Sequence, residues 1–219
     1  EVEKKLFIRQ MNVYAAYLAY TDHEIGRVVQ AVEDMGQLDN TLIIYISGDN
    51  GASAEGMIDG TPNEFTTFNG VPVPVKAQYL FYPFWGSDKT FPHFAAPWAW
   101  AMGTPFKWVK QVPSHFGGTA QGVAMSWPGH ITDVGGIRRQ FHHVIDIVPT
   151  ALEAAGLPEP QVVNGTPQAP IEGVSMVYSF DDAKADTRHK VQYFEMIGNR
   201  AIYADGWYAR TIHKAPWEA

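Results

Sequence analysis

The stretch that most constrains this chain is Leu42-Ile43-Ile44-Tyr45-Ile46, an unbroken apolar run between the turn residues Asp39-Asn40 and Gly48-Asp49-Asn50-Gly51. A strand with one wet face alternates apolar and polar residues, whereas an unbroken run suits a strand covered on both faces, as inside an α/β sheet. Open α/β sheets hold their ligands just beyond the carboxyl ends of such strands. A site is therefore expected at Gly48 to Gly51.

The flanking patterns agree with an α/β class. From about Phe7 to Met35, apolar residues recur at helical spacing (Tyr14, Tyr17, Leu18, Ile25, Val28, Val29, Val32), followed by Gly36 as a C-terminal cap. This predicts a long helix with one buried face. Val123 to Trp127 reads as a second strand closed by Pro128-Gly129, and Val144 to Ala155 as a helix with Pro149 at a start or kink. Alternating β and α elements favour a layered fold.

Residues 52 to 120 are rich in Gly, Pro and aromatics and read as long ordered loops with short helices, which in a compact domain are usually functional. Residues 158 to 175 and 181 to 190 read as connections. Beyond them, Val191 to Ile197, Arg200 to Tyr203 and Gly206 to Ile212 read as three short strands of a small antiparallel sheet. The domain division is thus residues 1–185 for the α/β part and 190–219 for the start of a β subdomain.

Composition narrows the chemistry. With 219 residues and 46% hydrophobic content the chain can bury a sizeable core. Its formal charge of -7 offers no general attraction to a phosphate backbone, so no nucleic-acid partner is expected. The absence of cysteine excludes disulfides, thiolate zinc sites and thiol nucleophiles within these residues. No apolar run reaches the roughly 18 residues needed to span a bilayer, so a soluble protein with no membrane partner is expected. The compartment is left open between bacterial cytoplasm and periplasm. Glu1 to Arg9 are charged and unlike a signal peptide, so either the protein is not exported or its N-terminus lies upstream.

Two groups of residues can carry chemistry. Asp49 and Asn50 place two oxygen ligands at the tip of a strand, suited to a hard cation such as calcium or magnesium, though Gly-Asp-Asn-Gly is also an ordinary turn sequence. Lys107, Lys110 and His115 run into Phe116-Gly117-Gly118-Thr119, where cations and exposed backbone N–H groups can hold a tetrahedral anion such as sulfate. The bland alternative is a solvated loop with two surface lysines. Asp22-His23 and His142-His143 read better as packing or capping residues than as a dyad or a metal site. The aromatic cluster from Tyr79 to Trp108 suits either a core or a pocket for an aromatic substrate.

Taken in order, these segments resemble type I sulfatases of the arylsulfatase group. The resemblance runs from Asp22-His-Glu-Ile-Gly26-Arg27 through Gly48-Asp-Asn-Gly-Ala-Ser53, Pro105-Phe-Lys107-Trp-Val-Lys110-Gln111 and Ser114-His115-Phe-Gly-Gly-Thr119. It continues at Ser126-Trp-Pro-Gly129, Val144-Ile-Asp-Ile-Val-Pro-Thr150 and Ile171-Glu-Gly-Val-Ser175. It implies an alkaline-phosphatase-like α/β fold, a calcium ion and hydrolysis of a small-molecule sulfate ester, aryl esters included, through a formylglycine made from cysteine or serine. By this resemblance Asp49 and Asn50 are metal ligands. Lys110 contacts sulfate with Lys107 in reserve, and His115 lines the site and assists catalysis.

The sequence departs from that pattern. No Cys is present, no Ser is followed by x-Pro-x-Arg, and Ala120 stands where an arginine often follows the Gly-Gly-Thr loop. The expectation is a chain truncated at both ends, whose missing strands leave apolar surface that another segment or a homo-oligomer would cover. Three readings stay open: an arylsulfatase whose chain alone has little activity, a phosphoester or phosphonate hydrolase on the same fold, and a non-catalytic binding module.

Overall fold

The computed structural model describes residues 1–211. Helix α1 spans Val2–Asp34 and ends as its sequence requires. Gly36 takes φ +66°, its N–H donates to the Glu33 carbonyl at 2.8 Å, and the N–H of Gln37 reaches the Val32 carbonyl at 3.1 Å. These are the two bonds of a Schellman cap.

The buried face of α1 is shorter than its periodicity implies. Leu6 and Gln10 are its buried residues, while Tyr17, Leu18, Tyr20 and Val28 are exposed. The core lies instead under the first turns of α1, where Leu6, Trp85, Ala95, Ala96 and Ala99 are buried. Gln10 is a staple in that core. Its amide donates to the Asp59 carbonyl at 2.8 Å and its oxygen accepts from the Ala95 N–H at 2.9 Å, so a polar side chain is buried with its bonds made.

Strand β1 is Ile43–Ile46, and after it come the short helices α2 (Glu64–Phe68), α3 (Val75–Leu80), α4 (Ala96–Gly103) and α5 (Phe116–Thr119). β1 pairs antiparallel with β2, Val123–Ser126, in the register Ile43 with Ser126 and Ile46 with Val123. This corrects the expectation of a strand covered on both faces. Tyr45 is exposed and Ile43, Ile44 and Ile46 are half-buried, because β1 packs chiefly against its paired strand β2 and no helix covers its faces extensively among the described residues.

Helix α6 covers Ile147–Ala154 behind a single turn of 3₁₀ helix at Val144–Asp146, and Pro149 falls in its first turn, where no N–H is missed. A two-residue hairpin, β3 (Val162–Val163) and β4 (Thr166–Pro167), occupies what reads as a plain connection. The last sheet is β5 (Val191–Met196), β6 (Asn199–Ala204) and β7 (Trp207–Arg210), antiparallel throughout. Its three strands match the hairpin reading; Ile212 and the rest of the 190–219 segment lie outside the described residues. The chain is therefore a mixed α/β fold with small antiparallel sheets.

Candidate active site

The two groups of residues singled out by sequence meet in space. The Gly51 N–H donates to the Gly118 carbonyl at 2.9 Å and the Lys110 N–H donates to the Ala52 carbonyl at 3.0 Å. The approach is close enough to demand glycine. A Cβ on Gly51 would lie 1.7 Å from the Gly117 oxygen, and one on Gly117 would lie 2.1 Å from the Trp108 oxygen. The loop carrying Lys107 and Lys110 thus wraps the glycine pair, with Trp108 and Gln111 both at positive φ on either side of Val109-Lys110.

A cleft of about 680 Å³ opens beside this junction, within the range of small-molecule sites. Gly48, Asp49, Asn50 and Lys110 line it, with Phe106 and Phe116 nearby and Arg139, His142 and His143 also on its wall. Asp49 is exposed and Asn50 half-buried, and the Asn50 amide donates to Asp49 Oδ1 at 2.5 Å. Lys107 and His115 are not among the residues lining the cleft. Lys107 is exposed, and its carbonyl accepts from the Gly117 N–H at 3.0 Å.

His115 is buried beneath the loop, its Nδ1 3.0 Å from Ser114 Oγ and its ring 5.5 Å from Trp108. Burial, with Arg210 and Lys107 nearby, pulls its imidazole down to about 4. Its ring is therefore held in the neutral form at neutral pH.

The structure adds two residues that sequence reasoning passed over. Lys110 Nζ donates to Glu55 Oε2 at 2.9 Å, Ser53 Oγ donates to the same oxygen at 2.8 Å, and His93 Nε2 lies 2.9 Å from Ser53 Oγ. His93 Nδ1 faces the Phe94 carbonyl at 3.0 Å and must donate there. Although burial raises it, the Glu55 carboxyl sits below its ordinary range because Lys110 and Ser53 hydrogen-bond its charged form. No local signal marks Glu55 or His93; Lys110 lies 55 positions from Glu55 and Ser53 lies 40 positions from His93.

A second cluster flanks the cleft. Asp146 is fully buried and accepts from His189 Nδ1 at 2.8 Å, from the His143 N–H at 2.9 Å and from the Val174 N–H at 2.8 Å, with His142 Nδ1 at 3.2 Å. Burial pushes its carboxyl up, but these four donors win and hold it at about 2. It anchors the start of α6 to His189, just ahead of β5, and to the segment before Met176.

A family model described as Sulfatase matches residues 2–157 of this chain. The chain belongs to the sulfatase family. It is 32% identical over 158 residues to an uncharacterized sulfatase of Schizosaccharomyces pombe, covering 72% of this chain and 27% of that protein. It is 29% identical over 176 residues to an arylsulfatase of Klebsiella aerogenes, covering 80% of this chain and 35% of that protein. This sulfatase-family chain thus spans about a third of the length of these curated relatives, and no helix among its described residues is long and apolar enough to cross a membrane.

Proposed function

We propose that this chain carries the cation-binding and sulfate-binding side of a sulfuric ester hydrolase site, in an alkaline-phosphatase-like layered domain, acting on small-molecule sulfate esters. The observation that carries the reading is that Asp49, Asn50 and Lys110 line one cleft, with their two loops joined through Gly51 and Gly118. The Klebsiella aerogenes relative is named an arylsulfatase, and Phe106 and Phe116 in the cleft suit an aromatic leaving group.

Asp49 and Asn50 fit a hard cation in kind, as one carboxylate and one amide oxygen at the end of a strand. In number they fit it in part, as two donors of the six or more that calcium takes, and magnesium accepts the same oxygens. No group of three or more His, Asp or Glu residues is assembled among the described residues, so backbone carbonyls, waters or further residues would complete the shell. A bound calcium would offset the negative charge of the sulfate oxygens. Lys110 would hold a further sulfate oxygen by a charge-assisted bond.

The residues present do not fit a formylglycine, because the chain has no cysteine and no serine in the required setting. His115 and Lys107 support the anion loop from behind: one is buried and neutral, and the other holds Gly117 through its backbone. The net charge of -7 argues against nucleic acid as a partner. The test is calcium binding by the intact protein. Asp49→Ala and Asn50→Ala should each weaken it about tenfold or more, since even loss of an outer-shell partner costs about tenfold, and unchanged affinity in both would overturn the assignment.

A further inference from the structure

We propose that Glu55 is a positioning residue for this site, holding the Lys110 ammonium at the cleft through their ion pair while Ser53 and His93 hold Glu55. The inference rests on the reading above that Lys110 meets the sulfate.

A lysine side chain is long and loses much rotamer freedom when fixed, so an unsupported ammonium would sample many places besides the cleft. Here both carboxylate oxygens of Glu55 are occupied. Oε2 takes Lys110 at 2.9 Å and Ser53 at 2.8 Å, and Oε1 takes Gln111 Nε2 at 3.2 Å. Ser53 is met by His93, whose backbone is tied to Thr61 by bonds of 2.9 Å in both directions. Gly56 lets the loop lie directly on this support, since a Cβ there would sit 2.1 Å from the Phe94 oxygen. An ordinary surface ion pair has no such frame, and one without it contributes little.

The placement suits anion binding in two further ways. An ammonium has three N–H donors, and the ion pair uses one, leaving two for sulfate oxygens. Glu55 is not among the residues lining the cleft that holds Asp49; it lines a smaller adjoining hollow of about 170 Å³ with Met57 and Phe68. Its carboxylate thus lies outside the cleft that Asp49 and Asn50 line, and Lys110 borders both spaces.

The experiment is a double-mutant cycle on the intact protein with Glu55→Ala, Lys110→Met and both together. It reads kcat/KM for an aryl sulfate in calcium and affinity for inorganic sulfate. Lys110→Met should lower both about a hundredfold and Glu55→Ala about tenfold, with no further loss when Glu55→Ala is added to Lys110→Met. Glu55→Gln should recover part of the loss, because its amide oxygen accepts the same bond. If Glu55→Ala does not fold, Glu55→Gln takes its place in the cycle. A Glu55 variant within twofold of the parent, or one costing the same factor with and without Lys110, would overturn the positioning role. If Lys110→Met kept full turnover and sulfate affinity, the reading of the cleft would itself fail and the positioning role with it.

Discussion

The N–H of Gly51 and the carbonyl of Gly118, 67 positions apart in sequence, are joined at 2.9 Å. That bond brings the Asp49-Asn50 tip and the lysine loop to a single cleft. It also fixes what each position tolerates.

Gly51→Ala should be among the most damaging single changes in the chain. Its Cβ would meet backbone at 1.7 Å, and no side-chain movement relieves that contact. A loss of about 3 kcal/mol or more in urea unfolding of the intact protein is expected, with weaker sulfate binding. A change below about 0.5 kcal/mol would show that the two loops are not joined this way.

Asp146 predicts an acid limb. Its folded carboxyl lies at about 2, below the ordinary 3.8, so its contribution is fully present above the ordinary value and is lost as pH falls through that window. The contribution at neutral pH is about 2 kcal/mol. Asp146→Asn should remove this slope and destabilise the fold by about 3 kcal/mol, because the buried donors of His189, His143 and Val174 would lose their carboxylate acceptor. Chemical denaturation as a function of pH checks both.

His115 predicts a slope of its own. Its folded imidazole lies at about 4 against an ordinary 6.5, so the unfolded chain binds the extra proton first and stability falls as pH drops from 6.5 towards 4. His115→Asn should flatten that interval. NMR titration should find the His115 ring still neutral at pH 6; a ring that titrates near 6.5 would contradict its buried placement.

The exposed apolar residues of α1 predict a surface effect. A chain of these residues alone should bind an apolar dye, and Tyr17→Ser with Val28→Thr should reduce that binding while leaving helix content unchanged. Equal dye binding by the double variant would place the sticky surface elsewhere.

What was legible in the sequence was local. The α1 cap at Gly36, the strand at Val123, the helix around Pro149 and the three closing strands all follow from spacing and turn residues within a few positions. The Asn164-Gly165 pair was an equally local hairpin signal, since both residues take positive φ, yet it reads as loop because only two residues pair on each side. The coverage of β1 was not legible, because an apolar run reports what a strand can bury and not what lies against it. By residue type Asp49-Asn50 also read as an ordinary turn and Lys110 as a surface lysine; the resemblance to sulfatases singled them out, and their place on one cleft was not legible in the sequence. Glu55 and His93 were not legible either, because their meaning depends on contacts made across the loops.

The most direct measurement is hydrolysis of an aryl sulfate by the intact protein as calcium is titrated in, with Lys110→Met alongside. The expected result is turnover that rises with calcium and falls about a hundredfold in the variant at saturating metal. Turnover indifferent to calcium, or a Lys110→Met protein as active as its parent, would contradict the assignment of Asp49, Asn50 and Lys110 to one sulfate-ester site.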